Sequence, residues 1–423
     1  MMGFESSGGH MKKDINQLFV YPKSWVSTET KEIAASVRQW ANKEVIAKRI
    51  DYQEDYKKLF SEARKKLAFD IGCQGLMLPE DSGGFGFNRL TDAPLLISIL
   101  KEISRADAGI GFVHALEYTV FSIFAIEPVM NPELCGKLAP LFCSKTLKTV
   151  SLILPGFGKK GIDDPLFEGR SVRARIQTAD EKCMLSGRDL RPIGCGADAA
   201  LFCVICSDAN EQPCVALVPG DSAGITRHET IRKTGLDGCD NADIDFENVQ
   251  LPKENVITRN RAAYELYAWL NLLLAGVSVG ACMGILEIVS AWSGKRIIKG
   301  KNLLKDNPLC AAVLADVYEE IAIAWLLTHN LANSFANPGE WGNSSSPLIF
   351  SVSQMLGRRV QESAIRAINR TMELMASEGY ATEGGVEKMW RDVKTIQSCL
   401  CGPGGEVPTK LDVAKCIFDS QTI

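Results

Sequence analysis

The stretch GLDGCDNADIDFENVQLPKENVI, Gly235–Ile257, marks where the chain changes character. Its centre, ADIDFENVQLP, is a strand-like run bounded by Asp, Asn and Pro, and everything after Thr258 reads as helix. Working back from it, TVSLILPG, RSVRARIQTA, CMLSGRDL, ALFCVICSD and PCVALVPG are further short strand-like runs between Gly, Asp, Asn and Pro. Together they predict a small antiparallel sheet or barrel over 148–257. Upstream, residues 28–70 are helical, with Ser27 or Thr28 as a start signal and Ile33, Val37, Trp40 and Val45 at helical spacing. GCQGLMLPEDSGGFGF, Gly72–Phe87, holds Pro79 and five glycines and reads as a loop. Helical patterns return over 92–147, broken near Pro128 and Pro132. About four long helical segments follow Thr258, interrupted at GKNLLKDNP and FANPGEWGNSSSP. The order α, then β, then α predicts an α+β chain with three domains, 11–147, 148–257 and 258–423.

Composition narrows the class. The chain has 423 residues, 46% hydrophobic and 23% charged, with a net charge of −4. These are globular values, and without a basic stripe nucleic acid is not an expected partner. Its 14 cysteines are scattered, no pair of CxxC motifs occurs, and Cys399-Leu-Cys401 is too close for a zinc knuckle. Free, buried thiols in a reducing cytoplasm are the expectation. MMGFESSGGHMKKD has no apolar core of a signal peptide, and residues 1–10 are left out of the fold reading. Leu266–Leu286, LYAWLNLLLAGVSVGACMGIL, carries no charge over a length that spans a bilayer. Its small residues suit close helix packing, and Arg259, Arg261, Lys295 and Arg296 make both flanks basic. A fully buried helix is expected, with no membrane span.

Three separate stretches in this order carry a resemblance. GLMLPEDSGGFG, Gly235–Ile257 and VEKMWRDVK, Val386–Lys394, resemble elements of the acyl-CoA dehydrogenase family, in register with the α-β-α pattern over nearly the whole chain. The resemblance implies an N-terminal α-helical domain, a middle antiparallel β-domain and a C-terminal four-helix bundle. It implies FAD between the β-domain and the bundle, a homodimer or homotetramer, and electron-transferring flavoprotein as electron acceptor. The implied reaction takes a proton from the carbon alpha to an acyl-CoA thioester while a hydride passes to the flavin. Such chemistry needs a base at the C–H, polarisation of the carbonyl and a hydride acceptor that no side chain can be.

The chain departs from that pattern at its chemical centre. Counting from Arg391-Asp392, the customary Glu falls on Leu400, or on Cys401 with a one-residue slip; the family's other base position falls on Leu270. The stretch facing the flavin aligns with ILPGFGK, Ile153–Lys159, and the Trp-Ile-Thr stretch with Arg191–Ile193. A glutamine that holds FAD across subunits aligns with Pro308, and the Gly-Gly-x-Gly near the ADP half is reduced to Ser377–Tyr380. By resemblance the cofactor-binding residues are Leu152, Ile153, Gly158, Ile193, Arg296 and Gly379. Candidate catalytic residues are Glu117, Asp92 and Cys401. Glu117 shares a helix face with His114 in an apolar run, where burial would raise a carboxyl pKa, or the two form a salt-bridged pair. Asp92 is a helix cap or an acid moved toward the acyl pocket. Cys401 serves as a base only as a thiolate, and is otherwise an inert thiol. Arg391 and Asp392 read as a structural pair.

Three functions are therefore carried forward. The first is an FAD-dependent oxidoreductase on the CH–CH bond of an atypical acyl-CoA. The second is a flavin-less protein of the same fold that binds a CoA ester or a partner, and the third is a flavin-dependent monooxygenase.

Overall fold

The computed structural model describes residues 22–49, 55–157, 166–167, 170–179, 182–298, 300–401 and 403–419. Among the described residues the first α-helices are α1 (Thr28–Trp40), α2 (Tyr56–Phe69), α3 (Ala93–Ala106), α4 (Ala108–Phe121) and α5 (Pro132–Phe142). Each start is written locally. Ser27, Asp55, Asp107 and Asn131 accept hydrogen bonds from the first free amides of α1, α2, α4 and α5. Each such cap contributes about 1 kcal/mol.

The strands follow as β1 (Val150–Ile153), β2 (Gly156–Phe157), β3 (Leu166–Phe167), β4 (Arg170–Ser171), β5 (Arg175–Ala179) and β6 (Lys182–Leu190). Next come β7 (Ile193–Gly194), β8 (Leu201–Ser207), β9 (Pro213–Pro219), β10 (Ile225–Thr230), β11 (Ala242–Pro252) and β12 (Val256–Ile257). The sheet is mainly antiparallel, as expected, but two pairings depart from that: β1 runs parallel to β8, and β5 meets β8 parallel as well. The reason is connectivity. The chain leaves β1 and forms β2 to β7 before β8 returns beside it, and so long a crossover permits a parallel pair. The remaining pairs are antiparallel, so the sheet is mixed.

β8 shows why this sheet reads as near-continuous hydrophobic runs. Leu201, Cys203 and Ile205 face the helices, whereas Phe202, Val204 and Cys206 join a separate core inside the β-domain. Alternate side chains go to opposite faces, and both faces are buried.

The second helical block holds α6 (Ala262–Ser293), α7 (Pro308–Ala336), the short α8 (Pro338–Trp341), α9 (Pro347–Met375), α10 (Val386–Cys401) and α11 (Pro403–Asp419). Here α6, α7, α9 and α10 make the four-helix bundle, and α11 adds a fifth long helix that packs on α9 and α10. The apolar α6 is the central helix. It packs against α3, α4, α7, α9 and α10, and 89% of its most apolar window is buried inside the protein.

One buried histidine sets a pH dependence. His329 of α7 is buried with its ring 3.9 Å from that of Trp325, and desolvation, aided by Lys101, pulls its pKa down to about 3. The folded protein holds it neutral, so its contribution is full above the ordinary imidazole range and is lost as pH falls from there. The loss runs at up to about 1.4 kcal/mol per pH unit. Denaturant midpoints measured at about pH 7 and about pH 5 are expected to converge in His329→Leu relative to the wild type. An unchanged difference would place the acid sensitivity elsewhere.

Candidate active site between the sheet and the bundle

Two of the stretches read first in the sequence lock onto each other. Asp392 of α10 accepts the Leu236 amide at 2.6 Å and the Lys388 ammonium at 2.5 Å. Arg391 donates to the Thr234 carbonyl and to Asp237, both at 2.6 Å, and to Glu387 at 2.7 Å. Gly235 is required at this crossing, because a Cβ there would meet the Arg391 carbonyl oxygen at 2.2 Å. The clamp fixes α10 against the segment leading into β11. It turns Thr395, Ser398, Cys399 and Leu400 toward a cavity between the β-domain and the bundle.

That cavity has a volume of about 410 Å3. The β-domain contributes Leu154, Pro155 and Gly156 from the end of β1, and Arg191, Pro192 and Ile193 leading into β7. Ile231, Lys233 and Asn241 continue that wall, and Arg170 and Arg173 close one side. The helices contribute Tyr267 from α6, Gln354 from α9, the end of α10 and Thr409 from α11. Asn241 holds the turn before β7 by donating to the Pro192 carbonyl at 2.9 Å and accepting from the Gly196 amide at 3.1 Å.

Charge is unevenly placed. Among the described residues, four basic ones line the cavity and no acidic one does. Arg170, buried beside the Tyr267 ring at 5.3 Å, donates to Asp412 of α11 at 2.8 Å. Gln354 donates to the same carboxylate at 3.1 Å. Arg191 forms a two-pronged pair with Asp243 at 2.8 Å. Arg173 donates to the Asp189 carbonyl at 2.7 Å, and Lys233 donates to the Cys239 carbonyl. Burial pushes the Cys399 thiol up to about 11 and the Tyr267 phenol upward, so both stay protonated at neutrality.

The residues singled out from sequence fall in several places. Ile193 lines the cavity. Ile153 and Leu152 lie one and two residues short of its rim; Leu152 is buried in the helical core and Ile153 in that of the β-domain. Arg296 is exposed beyond the end of α6, and Gly379 is buried in the turn after α9; neither lines the cavity. Gly158 and the Cys401 side chain lie outside the described residues. Leu400 lines the wall, 7% exposed, and Leu270 is fully buried in α6.

Glu117 and Asp92 are not on this wall. Arg64 donates to Glu117 Oε1 at 2.7 Å, and His114 Nδ1 lies 2.8 Å from Oε2 without hydrogen-bond alignment, all three fully buried or nearly so. This cluster adjoins an open groove of about 550 Å3 at the other end of β1, which Arg64 lines. Asp92 accepts the Arg89 amide at 2.9 Å and closes the turn before α3. An amide cap and a buried ion pair each commit the carboxylate elsewhere. Arg170, Arg173, Lys233 and Asp412 are the residues that sequence reasoning missed. They lie on irregular or solvated-looking stretches, and Asp412 follows Arg170 by 242 positions.

The flavin ring expected between sheet and bundle fits these walls. The cavity is within the size range of small-molecule sites and offers flat apolar surfaces from Pro155, Ile193, Ile231 and Leu400. Its cations suit the electron-rich edge of such a ring. The turn at Ala376, before Gly379, keeps a glycine-like backbone, with φ 51° and ψ −130°, although the residue is alanine. Such a conformation costs about 1–3 kcal/mol. Ala376→Gly is therefore expected to raise thermal stability and flavin retention together; a lower melting temperature would contradict the strain.

Comparison with known proteins agrees with this architecture. Residues 27–145 match the family model "Acyl-CoA dehydrogenase, N-terminal domain" and residues 263–399 match "Acyl-CoA dehydrogenase, C-terminal domain". The cyclohex-1-ene-1-carbonyl-CoA dehydrogenase of Geobacter metallireducens is 23% identical over 385 residues, covering 88% of this chain and 94% of that one. The CarC subunit of the caffeyl-CoA reductase–Etf complex of Acetobacterium woodii is 25% identical over 382 residues, covering 88% and 94%. The structure of acyl-CoA dehydrogenase complexed with FAD from Bacillus anthracis superposes with a TM-score of 0.77 at 18% identity, covering 96% of this chain and 69% of that one. With models of both helical domains matched and the cavity lying where sheet and bundle meet, the chain belongs to the acyl-CoA dehydrogenase family, whose members are FAD-dependent oxidoreductases.

Proposed function

We propose that the protein is an FAD-dependent oxidoreductase acting on the CH–CH bond of an acyl-CoA thioester of unusual structure. The observation that carries this reading is the cavity itself, bounded by the end of β1 and Ile193 on one side and by the end of α10 on the other. Leu154, Pro155, Gly156 and Ile193 would form the ring's sheet-side wall, and bound FAD supplies the hydride acceptor. The end of α10 brings Leu400, not a carboxylate, to the reacting face. Relatives named for cyclohexene-carbonyl and caffeyl thioesters support an acyl group other than a plain saturated chain.

The same reading includes electron-transferring flavoprotein as the redox partner, supported by the relative named as part of an Etf complex. It includes a homodimer or homotetramer, supported by the exposed apolar side chains of Leu309, Leu411, Ile417 and Phe418. A cytoplasmic location, without a membrane span, completes it.

The test is the visible spectrum of the purified protein before and after adding FAD. Flavin absorbance retained through gel filtration, and bleached by one member of an acyl-CoA panel, is the expected result. No retained flavin, even after excess FAD, would overturn the reading in favour of a flavin-less protein of this fold.

A further inference from the structure

We propose that the cavity takes acyl thioesters that carry a carboxylate on the α-carbon, and that loss of CO2 from them replaces proton abstraction. The inference rests on the reading of this cavity as an acyl thioester site.

Charge is the first observation. Of the four basic side chains in the wall, Arg170 and Arg191 are matched by Asp412 and Asp243. Among the described residues, Arg173 and Lys233 hydrogen-bond only main-chain carbonyls, and Arg173 shares the field of Asp243, which already pairs with Arg191. A cation at the edge of an apolar cavity favours a ligand that brings the counter-charge.

The second observation is the missing base. Leu400, or Cys401 with a one-residue slip, stands where the family's carboxylate is expected, and among the described residues no Asp, Glu or His lines the cavity. Cys399, with its thiol held up at about 11, and the hydroxyls of Thr395, Ser398 and Thr409 do not take a proton from carbon at neutrality.

One class of substrate reconciles the two. In an α-carboxyacyl thioester the bond between the α-carbon and the carboxylate breaks, and its electron pair stays on the α-carbon and delocalises onto the thioester oxygen. CO2 departs, and a proton from water completes the acyl thioester when the β-hydrogen is kept; the CH–CH oxidation of the oxidoreductase reading would start from the same carbanion. The carbanion is the one that deprotonation would form, so no protein base is needed. The bound molecule carries one negative charge at its reacting end before and after the break, so Arg173 and Lys233 suit both states. Ile193, Ile231 and Leu400 favour neutral CO2 over a solvated carboxylate.

The test gives the full-length protein, as purified, ethylmalonyl-CoA or butyryl-CoA, which differ only by the α-carboxylate. CO2 release from the first, and no uptake of deuterium at the α-carbon of the second in D2O, are expected. In Lys233→Met and Arg173→Met, the preference in binding for ethylmalonyl-CoA over butyryl-CoA is expected to fall by about tenfold or more. Because the readout is a ratio, general damage to the fold does not mimic it. An unchanged ratio in both variants would mean that the cations meet phosphates of CoA or FAD instead, and overturns the proposal. Flavin bleaching by butyryl-CoA with deuterium uptake overturns it too, but leaves the acyl-CoA oxidoreductase reading standing. Failure to bind either thioester overturns both.

Discussion

Leu400→Glu is expected to give the protein α-proton chemistry. Deuterium uptake at the α-carbon of butyryl-CoA should rise by about 10^2–10^4-fold over wild type, the usual worth of a positioned general base. The side chain lies in the cavity wall, so the new carboxylate would face the acyl group. At 7% exposure its pKa would be raised by desolvation, and uptake should therefore increase with pH as the carboxyl ionises. Lys233, close enough to favour ionisation of the neighbouring Cys399, would limit that rise. Leu400→Gln, with similar size and no basicity, is the matched control. A folded Glu variant that binds butyryl-CoA and exchanges no faster than the Gln variant would show that α10 does not present this position to the substrate.

Glu117→Ala is expected to lower stability by about 3–5 kcal/mol, the cost of stranding one partner of a buried ion pair. Among the described residues, Arg64 would keep the Lys148 carbonyl as its one hydrogen-bond acceptor, with Asp198 as a nearby counter-charge and its Nε already lacking a partner. Replacing both charges, Arg64→Met with Glu117→Leu, should recover most of the loss, because neither desolvated charge remains. Thermal and denaturant unfolding of the two single variants and the double variant measure the coupling. Because Glu117 does not line the cavity, flavin content should change little in any folded variant. A strong loss of thioester turnover in a fully stable Glu117→Gln protein would instead give this carboxylate a catalytic role.

Much of the architecture was legible without coordinates. Helix starts are local: Ser27, one of the two start signals read for the first helix, satisfies the Thr30 amide three residues on, and Asp107 and Asn131, not singled out from sequence, do the same for α4 and α5. Strands in 148–257 were legible because Gly, Asp, Asn and Pro bound short apolar runs. The parallel pairing of β1 with β8 was not, since register depends on a crossover that no local pattern encodes. Likewise counting from Arg391-Asp392 along α10 gave Leu400 or Cys401 as the position that the resemblance assigns to the base, because the helix between them is regular.

What the sequence by itself determined was the α-β-α order, the family resemblance and that Leu400, Cys401 and Leu270, where the resemblance looks for a base, are not carboxylates. Only the tertiary structure decided where charge meets the cavity. Arg170 and Asp412, 242 residues apart, pair in its wall, while Glu117, the acid most conspicuous in the sequence, is spent on Arg64. The physical reason is range. Capping and periodicity act within a turn or two of chain, but the fate of a buried charge depends on whichever partner folding brings within about 4 Å.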